Sequence, residues 1–350
     1  MRKFRRTTLF ALIAVISALF IYSCSEIPVA PKAIPKDPVG TTKPSTSGYS
    51  TTNIFGTVDK TPSLVPIAVP DTVNVRISLP GVENLPVSTL RVFEDNKEQG
   101  FVLYKESTIR NRLDIAIILD VTGSMSYAIN GAKNSIIDFA TNLEESGMDV
   151  RIGVIPFDDY VNPPSDIDVD PPYLGLSSSS DAKDYVGVLY AGYGGDWAEN
   201  PYDAIMFAAT ALEWRPSAQR VMIVITDAPA HYKSDGIGFS HFDKADMFPA
   251  LVGFFTIHGA FVPSGYYYDT TTDFSDPGDV RELCQKTGGV IKYTDSAGNV
   301  NLNDLGIVEY VESSWIVSFE SDSPAATHTI EVFYTTSTDK RYLKIEGATY

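Results

Sequence analysis

Basic side chains are scarce in this chain of 350 residues. Its 27 Lys and Arg stand against 44 Asp and Glu, which gives a formal net charge of −17 at pH 7. Affinity for the phosphate backbone of nucleic acids depends on clustered Lys and Arg. A nucleic-acid partner is therefore disfavoured.

The sequence also lacks the usual signatures of catalysis. It has no Gly-x-x-x-x-Gly-Lys loop to cradle a nucleotide, and no internal repeat is evident. Serine hydroxyls need an activating base, and none of the histidines has triad spacing. We therefore interpret each histidine as a surface or core residue and expect a protein that is not an enzyme. The four are His231, His241, His258 and His328.

Only two cysteines occur, and their surroundings differ. Residues 1–23 have a basic start and a short apolar stretch, which indicates a secretory signal peptide. The residues that end at Cys24 resemble the cleavage box of bacterial lipoproteins, so we expect Cys24 to be lipidated and the chain to be anchored in the bacterial cell envelope. An ordinary signal peptide and an uncleaved anchor are the alternatives. If Cys24 carries lipid, Cys284 has no intramolecular partner and is expected to be a buried thiol in a helix.

Beyond the leader, the composition divides the chain into further segments. Residues 24–52 are rich in Pro, Thr and Ser, which predicts a disordered tether. Residues 53–112 contain short alternating strands, and residues 315–350 have the same character. Because each part has too few strands to be stable alone, we expect the two to form one β-sandwich. Residues 113–314 alternate strands with helices, which predicts an α/β fold: a Rossmann-like, doubly wound, mostly parallel sheet.

The most informative stretch is 113–125, LDIAIILDVTGSM. Its apolar run does not alternate and is rich in β-branched residues, as expected for a central parallel strand buried on both faces. Asp120, Thr122 and Ser124 follow at every second position and offer one carboxylate and two hydroxyls. Such oxygens suit a hard cation, Mg²⁺ above all, with Mn²⁺ or Ca²⁺ as alternatives. The alternative is a purely structural role, in which these side chains only cap the next helix.

Together with two downstream segments, this arrangement resembles the metal-ion-dependent adhesion site of von Willebrand factor A domains. The first segment is the loop 194–199, GGDWAE, and the second is the buried strand 221–227, which ends at Asp227. The resemblance implies that Asp196 and Asp227 complete the shell of the metal. Many family members have a threonine in the loop that corresponds to 194–199, where this chain has Asp196. Three carboxylates would leave the occupied site about one unit negative.

Other acidic and aromatic residues lie in or near these segments. Glu199 is interpreted as a carboxylate at a helix N-terminus rather than a ligand. Tyr193 and Trp197 flank the expected metal, and one of them could contact a partner. The loop 166–177 begins like a calcium loop but has Pro171 at the glycine position, so a solvated acidic loop is favoured over weak Ca²⁺ binding.

The resemblance and the residues together predict a binding module. We expect a lipid-anchored A domain that binds a protein or glycan partner through the cation. A structural component of an envelope assembly, whose metal only holds its loops together, is the alternative. A metal-dependent hydrolase is disfavoured, because phosphatases whose first strand ends in aspartate need a second aspartate two residues on, where this chain has Thr122.

Overall fold

The computed structural model describes residues 32–61, 72–110, 112–145, 147–263, 267–268, 271–294 and 301–350. The expected signal peptide and Cys24 lie outside these residues. Within them, no helix is both long enough and apolar enough to span a bilayer.

The described strands and helices follow one another in the order of a sandwich, a central domain and the sandwich again. The strands are β1 (Phe55–Val58), β2 (Thr72–Ser78), β3 (Leu90–Glu94), β4 (Lys97–Glu98), β5 (Phe101–Lys105), β6 (Arg112–Asp120), β7 (Asp149–Phe157), β8 (Leu174–Ser177), β9 (Ala218–Thr226), β10 (Thr256–Phe261), β11 (Ile291–Tyr293), β12 (Ser314–Glu320), β13 (His328–Thr335) and β14 (Lys340–Ala348). The helices are α1 (Glu106–Ile109), α2 (Ile129–Glu145), α3 (Ser179–Val188), α4 (Pro201–Ala211), α5 (Lys244–Leu251), α6 (Arg281–Lys286) and α7 (Ile307–Glu312).

The central domain is built on one six-stranded sheet with the order β11-β10-β9-β6-β7-β8. All neighbouring strands are parallel except β8, which runs antiparallel to β7. Along β6, Ile115 and Ile117 pack into the core shared with α2, α3 and α7. Ala116 and Ile118 pack into the opposite core, shared with α4, α5 and α6. Helices thus cover both faces, which explains the unbroken apolar run of β6.

The two ends of the chain form two four-stranded antiparallel sheets, with the orders β1-β2-β12-β5 and β14-β13-β3-β4. The C-terminal strand β12 lies between β2 and β5, so the first sheet takes strands from both ends. Their inward side chains, such as Val75, Val92, Val317 and Val332, form one buried core. The predicted fold class, a mostly parallel α/β sheet with a flanking β-sandwich from both ends, is confirmed.

A buried charge cluster joins the sandwich to the central domain. Glu106, in α1, lies 3.0 Å from Arg76 Nε and 2.9 Å from Arg110 Nη1. Asp59 lies 2.8 Å from Arg110 Nη1. Arg76 Nη1 also donates to Thr256 Oγ1, in β10 of the central sheet, at 3.2 Å. The two folded units therefore share an ion-pair network that is shielded from solvent.

The described part of the expected tether differs from the prediction, because residues 32–52 lie against the sandwich. Lys43 Nζ is 2.6 Å from Glu331 Oε2. The backbone N–H of Ser50 donates to Lys340 O, on the edge strand β14, at 2.9 Å. A segment with few large apolar side chains can still be held by an edge strand, since that edge offers backbone hydrogen bonds and charged partners.

Candidate metal site

The candidate site lies where three neighbouring strands of the central sheet end. Asp120 is the last residue of β6, Asp227 follows β9, and Asp158 and Asp159 follow β7. Since β9, β6 and β7 are adjacent and parallel, their carboxyl ends meet at one edge of the sheet. This is the edge at which open α/β sheets bind ligands.

Asp120 is fully buried and is held by hydroxyls on both of its oxygens. Its Oδ1 accepts from Thr122 Oγ1 at 2.6 Å and from the backbone N–H of Thr122 at 2.9 Å. Its Oδ2 accepts from Thr226 Oγ1, at the end of β9, at 2.6 Å. The carboxylate is thereby fixed between the ends of the two central strands.

Ser124 connects this group to the end of β9. Ser124 Oγ donates to Asp227 Oδ1 at 2.8 Å and lies 3.1 Å from Thr122 Oγ1. Asp120, Thr122 and Asp227 are buried, whereas Ser124 is exposed. The structure thus brings four of the five predicted residues together, in a group that opens to solvent at Ser124.

Glu199, and not Asp196, is the carboxylate of the loop 194–199 that lies beside Thr122. Its carboxylate lies beside Thr122, and its Oε2 is buried without a hydrogen-bond partner. The helix that follows, α4, takes its N-cap hydrogen bond from Asn200 to Asp203 N. Glu199 thus directly precedes the N-cap of α4, and its carboxylate turns towards Thr122 instead of capping the helix.

The acidic groups of the site disfavour one another's charge. Burial, and then the nearby Asp227, raise the pKa of Asp120 to about 7. Burial, and then Asp120 and Asp159, raise the pKa of Glu199 to about 10. Burial also raises the pKa of Asp227. Such shifts are those of carboxylates packed together without a compensating positive charge.

The residues present fit a hard divalent cation. Each hydroxyl of Thr122 and Ser124 carries a single donor hydrogen, and these two hydrogens go to Asp120 and Asp227. The buried Oε2 of Glu199 is left without a partner. A cation among these oxygens would supply the missing positive charge, and oxygen ligands are those that Mg²⁺ prefers.

Asp196 lies in a neighbouring cluster rather than beside Asp120. Its Oδ1 is 3.1 Å from His231 Nε2, and its side chain is about half exposed (47%). Asp159 Oδ1 lies 3.6 Å from the same ring nitrogen. His231 is buried, as expected for a core residue, but its ring lies among carboxylates.

Two residues of this edge, Asp159 and His231, had no place in the predicted site. For Asp159 a signal was present, because β7 is an apolar strand that ends in two aspartates, as β6 and β9 end in one. For His231 no local pattern was available. It reaches the cluster because its backbone N–H donates to Glu199 O at 2.6 Å, and this bond joins its loop to the loop of Glu199.

The acidic loop after β7 supports the loop 194–199 through hydrogen bonds. Asp166 Oδ2 accepts from the backbone N–H of Gly194. The N–H of Asp166 in turn donates to Asp158 Oδ2 at 2.6 Å. Asp168 and Asp170 are exposed, as expected for a solvated loop.

Exposed aromatic side chains occur in the loops that carry the site. Tyr127, three residues after Ser124, is 90% exposed, and Tyr193, just before Gly194, is 96% exposed. Trp197 is 54% exposed. Aromatic residues often anchor interfaces, so these loops have the composition of a binding surface.

Comparisons with known proteins identify one curated relative and several solved structures. No family model matches the sequence. Over 158 residues the chain is 27% identical to the alpha-protein kinase vwkA of Dictyostelium discoideum, which covers 45% of this chain. The match spans 24% of that relative, so the chain accounts for about a quarter of its length.

The solved structures are similar to this chain at low sequence identity. A von Willebrand factor type A protein from Catenulispora acidiphila is 12% identical, with a TM-score of 0.41, over 87% of this chain and 75% of that one. The conserved hypothetical protein BatB from Bacteroides thetaiotaomicron is 17% identical, with a TM-score of 0.36, over 57% and 96%. The pilus adhesin SpaC from Lactobacillus rhamnosus GG is 11% identical, with a TM-score of 0.39, over 84% and 48%.

Proposed function

We propose that the chain is a von Willebrand factor A-type binding module that holds a protein or glycan partner through a divalent cation. Asp120, Asp227 and Glu199 supply the negative charge, and Thr122 and Ser124 supply hydroxyl oxygens. The cation is Mg²⁺, with Mn²⁺ as its closest substitute, because every donor is a hard oxygen. An oxygen of the partner takes an open position of the metal.

The observation that carries this proposal is the buried, unpartnered Oε2 of Glu199 beside Asp120 and Thr122. Leaving a buried carboxylate oxygen unsatisfied is costly, and a cation removes that cost. The exposed position of Ser124 supports access by a partner, and the exposed rings of Tyr127 and Tyr193 support an interface around it.

A purely structural metal has less support. The loops of the site are already joined without a cation: Gly192 N–H donates to Val121 O at 2.6 Å, and His231 N–H donates to Glu199 O at 2.6 Å. A non-catalytic role agrees with the hydrogen bonds of Asp120, both of whose oxygens are engaged by neighbouring hydroxyls. We therefore favour binding over scaffolding and over hydrolysis.

The proposed location is the bacterial cell envelope, with lipid on Cys24. Its support is the leader 1–23 and the residues before Cys24. Mass spectrometry of the N-terminal peptide of the mature protein tests it. An unmodified Cys24, or cleavage at another residue, contradicts the anchor without affecting the metal site.

The metal proposal is tested by calorimetry with Mg²⁺ and Mn²⁺. Asp227→Asn keeps the shape of the side chain and removes one ionic ligand, so we expect at least about tenfold weaker binding. Asp168→Asn is the matched control, because Asp168 is an exposed acid of the neighbouring loop. Equal Mg²⁺ binding by the wild type and Asp227→Asn would overturn the site.

The binding role is tested with envelope extracts passed over the immobilised protein. Retention of a partner should require Mg²⁺, be reversed by chelator and be lost in Asp227→Asn. Retention that is equal in the variant and insensitive to chelator contradicts the role of the cation. Mg²⁺-dependent hydrolysis that disappears in Asp120→Ala would contradict the non-catalytic assignment.

A further inference from the structure

A second group of ligand atoms converges next to the proposed Mg²⁺ site. One oxygen each from Asp159 and Asp196 and one ring nitrogen of His231 all lie within 4.8 Å of one another. None of the three side chains belongs to the group formed by Asp120, Thr122, Ser124 and Asp227. The cluster can therefore be tested independently of the proposed function.

The hydrogen bond of the other ring nitrogen, Nδ1, indicates the protonation of the Nε2 atom that lies beside the two carboxylates. Nδ1 lies 2.7 Å from Asp235 Oδ2. Asp235 is fixed by the backbone N–H groups of Tyr232, at 3.1 Å, and Ile237, at 2.7 Å. A carboxylate held in this way accepts the Nδ1 proton of a neutral imidazole, which leaves the lone pair on Nε2.

That lone pair faces two more acceptors, since Nε2 is 3.1 Å from Asp196 Oδ1 and 3.6 Å from Asp159 Oδ1. Three acceptor atoms without a hydrogen between them repel one another. A second proton, on the ring or on one of the carboxylates, or a cation at their centre relieves this repulsion. The pairing of a ring nitrogen with an outer carboxylate is the usual arrangement of a metal-binding histidine.

Asp159 provides an independent sign of a missing partner. The residue is 93% buried (7% exposed), yet its Oδ1 has no hydrogen-bond partner. This oxygen is the one aimed at His231 Nε2. Burial, and then the nearby Asp196, raise the pKa of Asp159 to about 6, which agrees with an acid that lacks positive charge around it.

The spacing of the atoms fits a transition metal. Ligand atoms at about 2.1 Å from a metal lie about 3.0 Å apart at adjacent octahedral positions and about 3.4 Å apart around a tetrahedral centre. The two distances from His231 Nε2, 3.1 and 3.6 Å, are close to these values. An imidazole with two carboxylates favours Zn²⁺ and similar ions over Mg²⁺.

We propose that Asp159, Asp196 and His231 form a second cation site that binds Zn²⁺ or a similar divalent transition metal. Three protein ligands leave at least one coordination position for water or a partner atom. The half-exposed side chain of Asp196 opens the site to solvent. The metal also fixes the loop 194–199, which carries Glu199 to the first site.

The test uses Co²⁺ as a spectroscopic substitute for Zn²⁺ in the full chain with Asp120→Ala, so that the first site is disabled. A histidine bound to Co²⁺ gives a strongly shifted ring N–H signal in proton NMR, and this signal disappears in D₂O. We expect one such signal, from the Nδ1 proton of His231. The Mg²⁺ site contains no histidine and cannot produce it.

Variants assign the signal. His231→Gln should abolish it, and Asp196→Asn, at a half-exposed position where folding is not at risk, should weaken Co²⁺ and Zn²⁺ binding at least about tenfold. His241→Gln is the matched control, because His241 is an exposed histidine whose Nδ1 also pairs with a carboxylate, that of Asp203. Thermal melting of each variant verifies that it is folded.

The proposal is overturned if no shifted N–H signal appears, or if the signal survives His231→Gln. It is also overturned if nitrogen NMR shows a proton on His231 Nε2 in the presence of excess Zn²⁺, because the ring would then neutralise the carboxylates itself. Failure of Mg²⁺ binding with a positive Co²⁺ result refutes the first site alone. The reverse result refutes only the second.

Discussion

Glu199 owes its place beside Thr122 to its own backbone. Its N–H donates to Pro229 O at 2.9 Å, and its carbonyl accepts from His231 N at 2.6 Å, so residue 199 forms a bridge beside Ala230. These two bonds point the side chain into the site. A residue three positions from the expected ligand therefore becomes the one that faces the hydroxyls.

Replacing this carboxylate tests its role in the cation site. Glu199→Gln keeps the size of the side chain but removes its negative charge, so we expect Mg²⁺ affinity to fall about ten- to hundredfold. Calorimetry measures the change, and Glu213→Gln, at an exposed position after α4, is the control. Unchanged Mg²⁺ affinity in Glu199→Gln would remove Glu199 from the site.

His258 makes stability depend on pH in a predictable direction. It is completely buried in β10, where Nδ1 accepts from Val290 N at 3.0 Å, and burial lowers the pKa of the ring to about 3. Between about pH 6.5 and 3 the unfolded chain therefore binds a proton at this residue that the native state does not. Its contribution to stability is complete above about pH 6.5 and decreases as the pH falls, by up to about 1.4 kcal/mol per pH unit.

Urea unfolding at pH 7, 6 and 5 checks this dependence. In His258→Asn the amide oxygen can still accept from Val290 N–H and no longer titrates, so the free energy of unfolding should decline less steeply than in the wild type. The exposed His241→Asn serves as control. Parallel pH profiles for the wild type and His258→Asn contradict the prediction.

At the scale of secondary-structure elements, the short helix α1 takes part in joining the two folded units. Its first residue, Glu106, is fully buried and contacts both Arg76 and Arg110. Buried charges are costly when one partner is removed, because the remaining charges stay desolvated. The connection between sandwich and central domain therefore depends on a complete set of charges.

Glu106→Gln should lower the free energy of unfolding by about 3–5 kcal/mol, since two buried arginines would be left with Asp59 alone. Urea unfolding measures this loss. Glu144→Gln is the comparison, because Glu144 forms an exposed pair with Lys183 at 2.9 Å and should cost less than about 1 kcal/mol. Similar losses in both variants would show that the buried cluster has no special role.

For the molecule as a whole, the sandwich depends on both ends of the chain. The strand β12 supplies the backbone partners of β2 on one side and of β5 on the other. Without it, two strands of the first sheet become unpaired edges and their shared core is exposed to water. Folding of the N-terminal strands is thus coupled to the arrival of the C-terminus.

Deletion of residues 315–350 should consequently make residues 72–105 sensitive to protease, whereas they stay protected in the full chain. Limited proteolysis with mass spectrometry of the fragments gives the result. Protection that persists after the deletion would mean that the N-terminal strands fold without β12.

The sequence was sufficient for the features that repeat over a few residues. The unbroken apolar runs before Asp120 and Asp227 indicated buried parallel strands, and the alternating patterns at both ends indicated antiparallel ones. The grouping of Asp227 with Asp120, Thr122 and Ser124 was implied by the family resemblance, and the structure shows its physical basis: parallel strands bring their carboxyl ends to one edge. Local periodicity reports burial directly, since each side chain must face core or solvent.

Only the tertiary structure decided which loop side chains meet. Asp196 and Glu199 share one short loop, and the positive φ of Gly194 (73°) and the bridge between residues 199 and 230 direct one to His231 and the other to Thr122. The approach of Asp159 to His231 likewise joins residues far apart in the chain. Loops have no repeating pattern from which the direction of a side chain could be predicted. Their course is set by hydrogen bonds to segments distant in sequence, so these contacts exist only once the sheet has assembled.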